Sequence, residues 1–244
     1  MPQSPVVYTC DEHSSVYYHL AASGVTGLAL THLDAHCDLR GTVVDRQSGR
    51  AWLQQPPPPV SPSTYLSHVV AERIAVDLEW VHDEVGGREN DLFTVRYTGD
   101  VGPFGGRLVR PPEGPGVAID YRESAYAAWR HRDEKRVLDI DWDFFADWRK
   151  SLAREAEEID ALLHDKLAVA PQRVYVAYSS QYSRPSRAAY ERFVERLARQ
   201  ISARVEAVPE APIPRKGLLA RALPPTLRRV LRSSAVAVKR VLAR

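Results

Sequence analysis

Apolar positions along the chain change their period several times, and each change marks an element. Residues 5–10 (PVVYTC) form a short β-rich run. Asp11 then stands as N-cap of a helix that runs to about Ala22. Gly24 and Gly27 bracket a turn, and residues 27–34 (GLALTHLD) read as a second strand. Strand, helix and strand in that order predict parallel pairing through a right-handed crossover. Residues 54–63 (QQPPPPVSPS) form a proline-rich loop, after which Ser63 caps a helix near residues 65–76. Residues 93–97 (FTVRY) and 107–110 (RLVR), in a Gly- and Pro-rich stretch, read as a hairpin at a sheet edge.

Regular alternation then resumes. Residues 136–141 (RVLDID) predict a strand, and residues 151–167 a helix with Leu152, Ile159, Leu162 and Leu163 on its apolar side. Residues 173–178 (RVYVAY) predict another strand. Residues 186–203 predict an amphipathic helix carrying Tyr190, Phe193, Val194 and Leu197, and residues 204–208 a last short strand. There is no internal repeat. The succession of strands and helices predicts an α/β protein with a mostly parallel sheet.

A chain of 244 residues suits one α/β domain with an appended tail, here residues 1–210 and 211–244. Hydrophobic residues make up 44%, enough for a buried core, and a net charge of +2 marks neither a nucleic-acid binder nor a disordered acidic chain. Cys10 and Cys37 do not make a secreted cysteine framework. The N-terminus lacks a basic start followed by an apolar core, and no apolar run spans a bilayer. A reduced, cytoplasmic protein is expected. The tail has no acid after Glu210, but carries Arg215, Lys216, Arg221, Arg228, Arg229, Arg232, Lys239, Arg240 and Arg244. Leu227, Val230, Leu231, Ser234, Val238, Val241 and Leu242 share one helical face, which predicts a basic amphipathic helix. Three readings fit it: packing on the domain, contact with anionic lipid, or docking of an acidic partner such as a leader peptide.

The chemistry concentrates at two strand ends. Asp34, His36 and Asp38 recur at every second residue, and on a strand they would share a face. Two carboxylates and an imidazole there suit Mn²⁺, Fe²⁺ or Zn²⁺, at the edge where α/β sheets bind ligands. Asp139, Asp141 and Asp143 repeat the pattern about a hundred residues later. Apolar Val137, Leu138, Ile140 and Phe144 around them argue for burial rather than a solvated edge, and buried acids need a cation. His13, just after the first strand, faces the same rim. Alone it would be a helix-cap histidine; the two acidic motifs make it a ligand candidate. Glu12 and His32 are candidates for orienting a ligand from outside. Cys10 and Cys37 read as core and strand-end residues, since thiolates prefer softer sites. His82 reads as structural, and His131, within a charged run, as solvated. Ser179 and Ser180 lack a His/Asp partner set, which argues against a serine hydrolase.

The motifs Asp34-Ala35-His36-Cys37-Asp38 and Asp139-Ile140-Asp141-Trp142-Asp143 resemble those of the arginase/deacetylase fold, where an early His, a D-A-H-x-D and a later D-x-D form a binuclear manganese site. The surrounding text, Glu12-His13, residues 32–39 and residues 138–145, is similar to the UPF0489 branch, which includes peptide arginases. The resemblance implies a three-layer αβα sandwich and two divalent ions, Mn²⁺ first. It implies that Asp34 and Asp139 bridge them, with His13 and Asp38 completing one ion and His36 and Asp141 the other. It further implies a metal-dependent hydrolase of C–N bonds that cleaves a guanidino group, turning arginine into ornithine and urea, in a small molecule or a peptide. Arginases grip the guanidinium with a carboxylate and shuttle a proton with a His. Here Ser179 and Gln181 follow the late strand as substrate contacts, Asp141 and Asp143 are the candidate catalytic acids, and His82 or His131 the shuttle. Two alternatives stand beside this: a deacetylase or amidohydrolase of the same fold, and a metal-retaining binding protein without turnover.

Overall fold

A computed structural model describes residues 4–83, 94–102, 104–184 and 186–209. The basic tail and Phe93 of the expected hairpin lie outside the described residues. The protein is α/β. Its main sheet contains β1 (Val6–Cys10), β2 (Leu28–Leu33), β5 (Ala75–His82), β9 (Asp120–Ala125), β10 (Val137–Asp141), β11 (Arg173–Ala177) and β12 (Arg204–Ala207). They pair in the order β12-β1-β11-β10-β2-β5-β9, and every pairing is parallel.

Helices cover both faces, as a parallel sheet with buried strands requires. On one face lie α1 (Ser14–Ala22) and α2 (Tyr65–Ala71), which pack Val16, Leu20, Leu66 and Val69 against Leu30, Leu78 and Tyr175. On the other lie α3 (Asp143–Ala146), α4 (Leu152–Ala161) and α5 (Arg187–Gln200), whose Phe144, Ile159, Tyr190, Phe193 and Leu197 pack on Leu33, Leu138, Ile140 and Val176. The alternation along β2 and β10 is therefore legible in space: Leu33, Leu138 and Ile140 face α3–α5, while His32, Asp139 and Asp141 face the side of α1 and α2.

The connections diverge at the middle of the sheet. From β2 the chain passes over the first face to β5; from β10 it passes over the second face to β11 on the other side. Adjacent strands whose crossovers run in opposite directions create a crevice beyond their C-terminal ends. That crevice lies between β2 and β10, the two strands that end in the acidic motifs.

Several local expectations are corrected. The helix after the proline-rich loop stops at Ala71 rather than Val76, because Arg73 adopts φ 57 and turns the chain into β5. A left-handed stop usually carries Gly or Asn, so this one leaves no mark in the sequence. The expected hairpin is instead a parallel pair, β6 (Arg96–Tyr97) with β7 (Arg107–Leu108). They belong to a second, five-stranded sheet with β3 (Thr42–Asp45), β4 (Arg50–Leu53) and β8 (Val117–Ala118). The chain crosses back before β7, and Gly106 lets it pass the Tyr97 ring, which lies 2.4 Å from where a Cβ would stand. Asp11 does not cap α1; its carboxylate pairs with Arg187. Leu152 is 72% exposed at the first turn of α4, and that helix passes into a π-helical turn at Leu162–Lys166 that buries both Leu162 and Leu163. No helix among the described residues is long and apolar enough to cross a membrane.

His131 is buried rather than solvated. Burial, with Arg136 adding to it, pushes its pKa down to about 4. The unfolded chain takes up this proton below about pH 6.5, whereas the folded chain resists it until about 4. Stability contributed above that window is lost as pH falls through it, by about 2 kcal/mol between pH 7 and pH 5. Denaturant titrations at the two pH values should show this loss in the native protein and a smaller one in His131→Phe. Equal losses would remove His131 as the cause.

Candidate metal centre

The residues that converge at the crevice come from four places. His13 stands at the N-terminus of α1, just beyond β1. His32 is in β2, and Asp34, His36 and Asp38 follow it. Asp139 and Asp141 end β10, and Asp143 opens α3. Ser179 and Gln181 follow β11.

Asp34, His36 and Asp38 do not share a strand face, because β2 ends at Leu33. The loop folds back on itself instead. The His36 amide donates to Asp34 Oδ1 at 2.7 Å, and Asp38 takes φ 48, a conformation that Asp tolerates better than most side chains. Asp141 is held from two sides: the Asp143 amide donates to its Oδ1 at 3.1 Å and Ser179 Oγ to its Oδ2 at 2.7 Å.

The groups stack in two layers, set by strand register. Asp139 pairs across with His32 on one side and Tyr175 on the other. Two residues further along each strand, Asp141 falls level with Asp34. In the upper layer His13 Nδ1 lies 3.1 Å from Asp141 Oδ2, 3.3 Å from Asp38 Oδ2 and 3.4 Å from Asp34 Oδ2. His36 Nδ1 lies 2.9 Å from Asp143 Oδ2 and 3.5 Å from Asp34 Oδ1. In the lower layer Asp139 Oδ1 is 3.0 Å from His13 Nε2, and its Oδ2 is 3.1 Å from His32 Nδ1 and accepts from the Tyr65 hydroxyl.

Five carboxylates thus meet three imidazoles in a space nearly closed to solvent. Burial alone would lower the His13 pKa, yet Asp139, Tyr65 and Asp141 hold it well above the usual imidazole value. His32 is likewise pushed up to about 10, chiefly by Asp34 and Asp139 against burial, and His36 up to about 12, chiefly by Asp143. Burial and the neighbouring Asp34 raise Asp38 to about 6, and burial with Asp141 and Asp34 raises Asp143 well above the carboxylate range. Asp34 resists burial through His32 and its other imidazole contacts and stays well below that range. Were all five carboxylates ionised and all three imidazoles protonated, two negative charges would remain in excess, and the raised pKa values of Asp143 and Asp38 express that excess.

Divalent cations fit this arrangement on the atoms themselves. His13 Nδ1, Asp34 Oδ2 and Asp143 Oδ1 are buried without a well-directed hydrogen bond, although buried polar atoms are nearly always paired; the nearest groups are ionisable, as His32 Nε2 is to Asp34 Oδ2 at 3.1 Å. His13/Asp34/Asp141, His32/Asp34/Asp38 and Asp34/His36/Asp143 each bring three donor atoms within 4.8 Å of one another, as does His13/His32/Asp139 below. Nitrogen and carboxylate donors without thiolate suit Mn²⁺, Fe²⁺ or Zn²⁺. Cys10 and Cys37 are buried, and burial pushes both thiols up, Cys10 to about 12.

The other candidate residues sit around the cluster. Gln181 Nε2 donates to Glu12 Oε1 at 3.3 Å, joining the turn after β11 to the start of α1. Tyr182 lies over His36, with ring centroids 6.0 Å apart. His82 ends β5, packed between Trp80 and Phe104, and lines a separate cavity of about 570 Å³ with Asp83, Tyr126, Arg154 and Glu158. Two site residues escaped the sequence reading in part or whole. His32, read as an outer group, stands among the buried acids; its even spacing from Asp34 was the available signal. Tyr65 carried no signal, since only the packing of α2 brings it there. No protein-family model matches this chain, and no curated protein matches it.

Proposed function

We propose that this chain is a metal-dependent hydrolase of C–N bonds, of the arginase-like type, with a guanidino group as its substrate. The observation that supports the metal reading is the upper layer: donor atoms from both strand ends converge on His13 Nδ1 and Asp34 Oδ2, buried atoms without a well-directed hydrogen bond. His13, Asp34, Asp38 and Asp141 would hold one divalent ion, and His36, Asp143 and Asp34 a second, most plainly Mn²⁺. Compared with the ligand set that the resemblance implies, Asp139 drops out and Asp143 enters, Asp141 moves from the His36 ion to the His13 ion, and Asp34 alone is shared. The reason is depth, because Asp139 lies a layer below and its oxygens are engaged by His13, His32 and Tyr65. When bound, two such ions polarise the substrate and activate water at neutral pH.

The protein's own groups would do the rest. Ser179 and the Asp143 amide fix Asp141, and the Asp34 turn fixes His36. Glu12, held by Gln181 at the rim, supplies the acid that a guanidinium needs and that the segment after β11 lacks. Water adds its oxygen to the guanidinium carbon, the bond from that carbon to the chain nitrogen breaks, and the two protons that water gives up end on the departing amine, which leaves as an ammonium. The products are urea and an ornithine side chain, free or within a peptide.

Purified protein loaded with Mn²⁺ should release urea from arginine or an arginine-bearing peptide and no acetate from acetyl-lysine. Glu12→Gln should raise KM for the guanidino substrate roughly tenfold, the worth of one charge-assisted hydrogen bond, while leaving Mn²⁺ stoichiometry intact. Acetate without urea would move the protein to the deacetylases of the same fold. Metal binding without either product would leave a binding protein.

A further inference from the structure

We propose that Tyr65, His32 and Asp139 form a positioning layer beneath the cation site, which locks His13 so that its Nδ1 alone faces the ions. The proposal rests on the metal reading given above.

A histidine offers two nitrogens, and the hydrogen bond made by one decides which is left to bind metal. His13 Nε2 lies 3.0 Å from Asp139 Oδ1, so its N–H points down and Nδ1 points up toward Asp141, Asp38 and Asp34. Asp139 is itself fixed. Its Oδ2 receives the Tyr65 hydroxyl and lies 3.1 Å from His32 Nδ1. The Tyr65 oxygen also lies 3.1 Å from His32 Nδ1 and 3.3 Å from His13 Nε2, so all four residues share one network. Tyr65 further stacks on His13, with centroids 4.7 Å apart and planes at 29°, which sets the tilt of the imidazole. His32 ties the layer to the loop above, through Nε2 at 3.1 Å from the His36 carbonyl. All four side chains are fully buried, so solvent cannot substitute for any of these contacts.

Packing alone would be served equally by phenylalanine at position 65. Tyr65→Phe keeps the ring that stacks on His13 and removes only the hydroxyl. It should still bind two equivalents of Mn²⁺ at saturation, with Kd for one of them raised roughly 10- to 100-fold, as for other groups that orient a metal-binding histidine. The Mn²⁺ paramagnetic resonance spectrum should change with it. Asp139→Asn should likewise weaken binding and keep the stoichiometry, whereas Asp141→Asn should lose an equivalent. Unchanged affinity and spectrum in Tyr65→Phe would overturn the positioning layer while leaving the metal centre in place. Loss of an equivalent in Asp139→Asn would also overturn it, making Asp139 a direct ligand. Absence of Mn²⁺ binding by the unaltered protein would instead remove the metal centre and this layer together.

Discussion

Asp34→Ala is expected to hold no more than one of the two equivalents of Mn²⁺ proposed for the unaltered protein. Its carboxylate enters three of the four groups of converging donors, more than any other residue in the cluster. It also holds the loop, since Oδ1 accepts the His36 amide. Alanine therefore removes a ligand from both proposed ions and releases the turn that aims His36. Losing one ion's stabilisation of a developing charge is worth several kcal/mol. Taking about 4 kcal/mol, turnover should fall by roughly a thousandfold. Elemental analysis after gel filtration, alongside urea release, checks both parts. Two retained equivalents would show that the cluster is not where the metal sits.

The second large effect concerns stability and needs no substrate. A ligand at a hundredfold excess over its Kd stabilises the folded state by about 2.7 kcal/mol, so two sites give about 5 kcal/mol. For a domain of about 200 residues that corresponds to a Tm shift of roughly 10–20 °C. Chelation should therefore lower Tm by an amount in that range, and Mn²⁺ should restore it. Asp143→Asn sharpens the test. In the metal-free protein the Asp143 carboxyl is buried against Asp141 and Asp34, which raise its pKa well above the carboxylate range, and asparagine relieves that repulsion while keeping an oxygen to face His36, 2.9 Å away. The metal-free variant should melt no lower than the metal-free parent, yet gain much less from Mn²⁺. A melting temperature indifferent to chelator and to Mn²⁺ would contradict the metal centre outright.

Much of this architecture is visible in the chain before folding is considered. The periodic runs that became β1, α1, β2, β10, β11 and α5 are long or strongly patterned, and each is found within a few residues of its expected place. β5 was hidden because Ala75 and Val76 continue the apolar spacing of Val69 and Val70, and Arg73 supplies the break without a glycine. β9 (DYRESA) was hidden because its charged side chains lie along an edge strand, where no second neighbour demands an apolar pattern. The site shows the same division. Which residues gather could be read from two motifs and a histidine. Which of the aspartates lies deepest could not, because depth follows from the register of β10 on β2 and β11. Asp139, Asp141 and Asp143 look equivalent in the text, and only pairing with His32 sends Asp139 below.

The closure of the cluster has a kinetic consequence. His36, with 16% of its side chain exposed, is its most open member; the side chains of Asp34, Asp139 and Asp143 are nearly sealed. An ion arriving from solution would meet His36, beside the Tyr182 ring, first, so the proposed position of His36 and Asp143 would fill first and empty first. The proposed inner ion would sit behind it, and a stripped protein should take up the two proposed ions in separate, unequal phases.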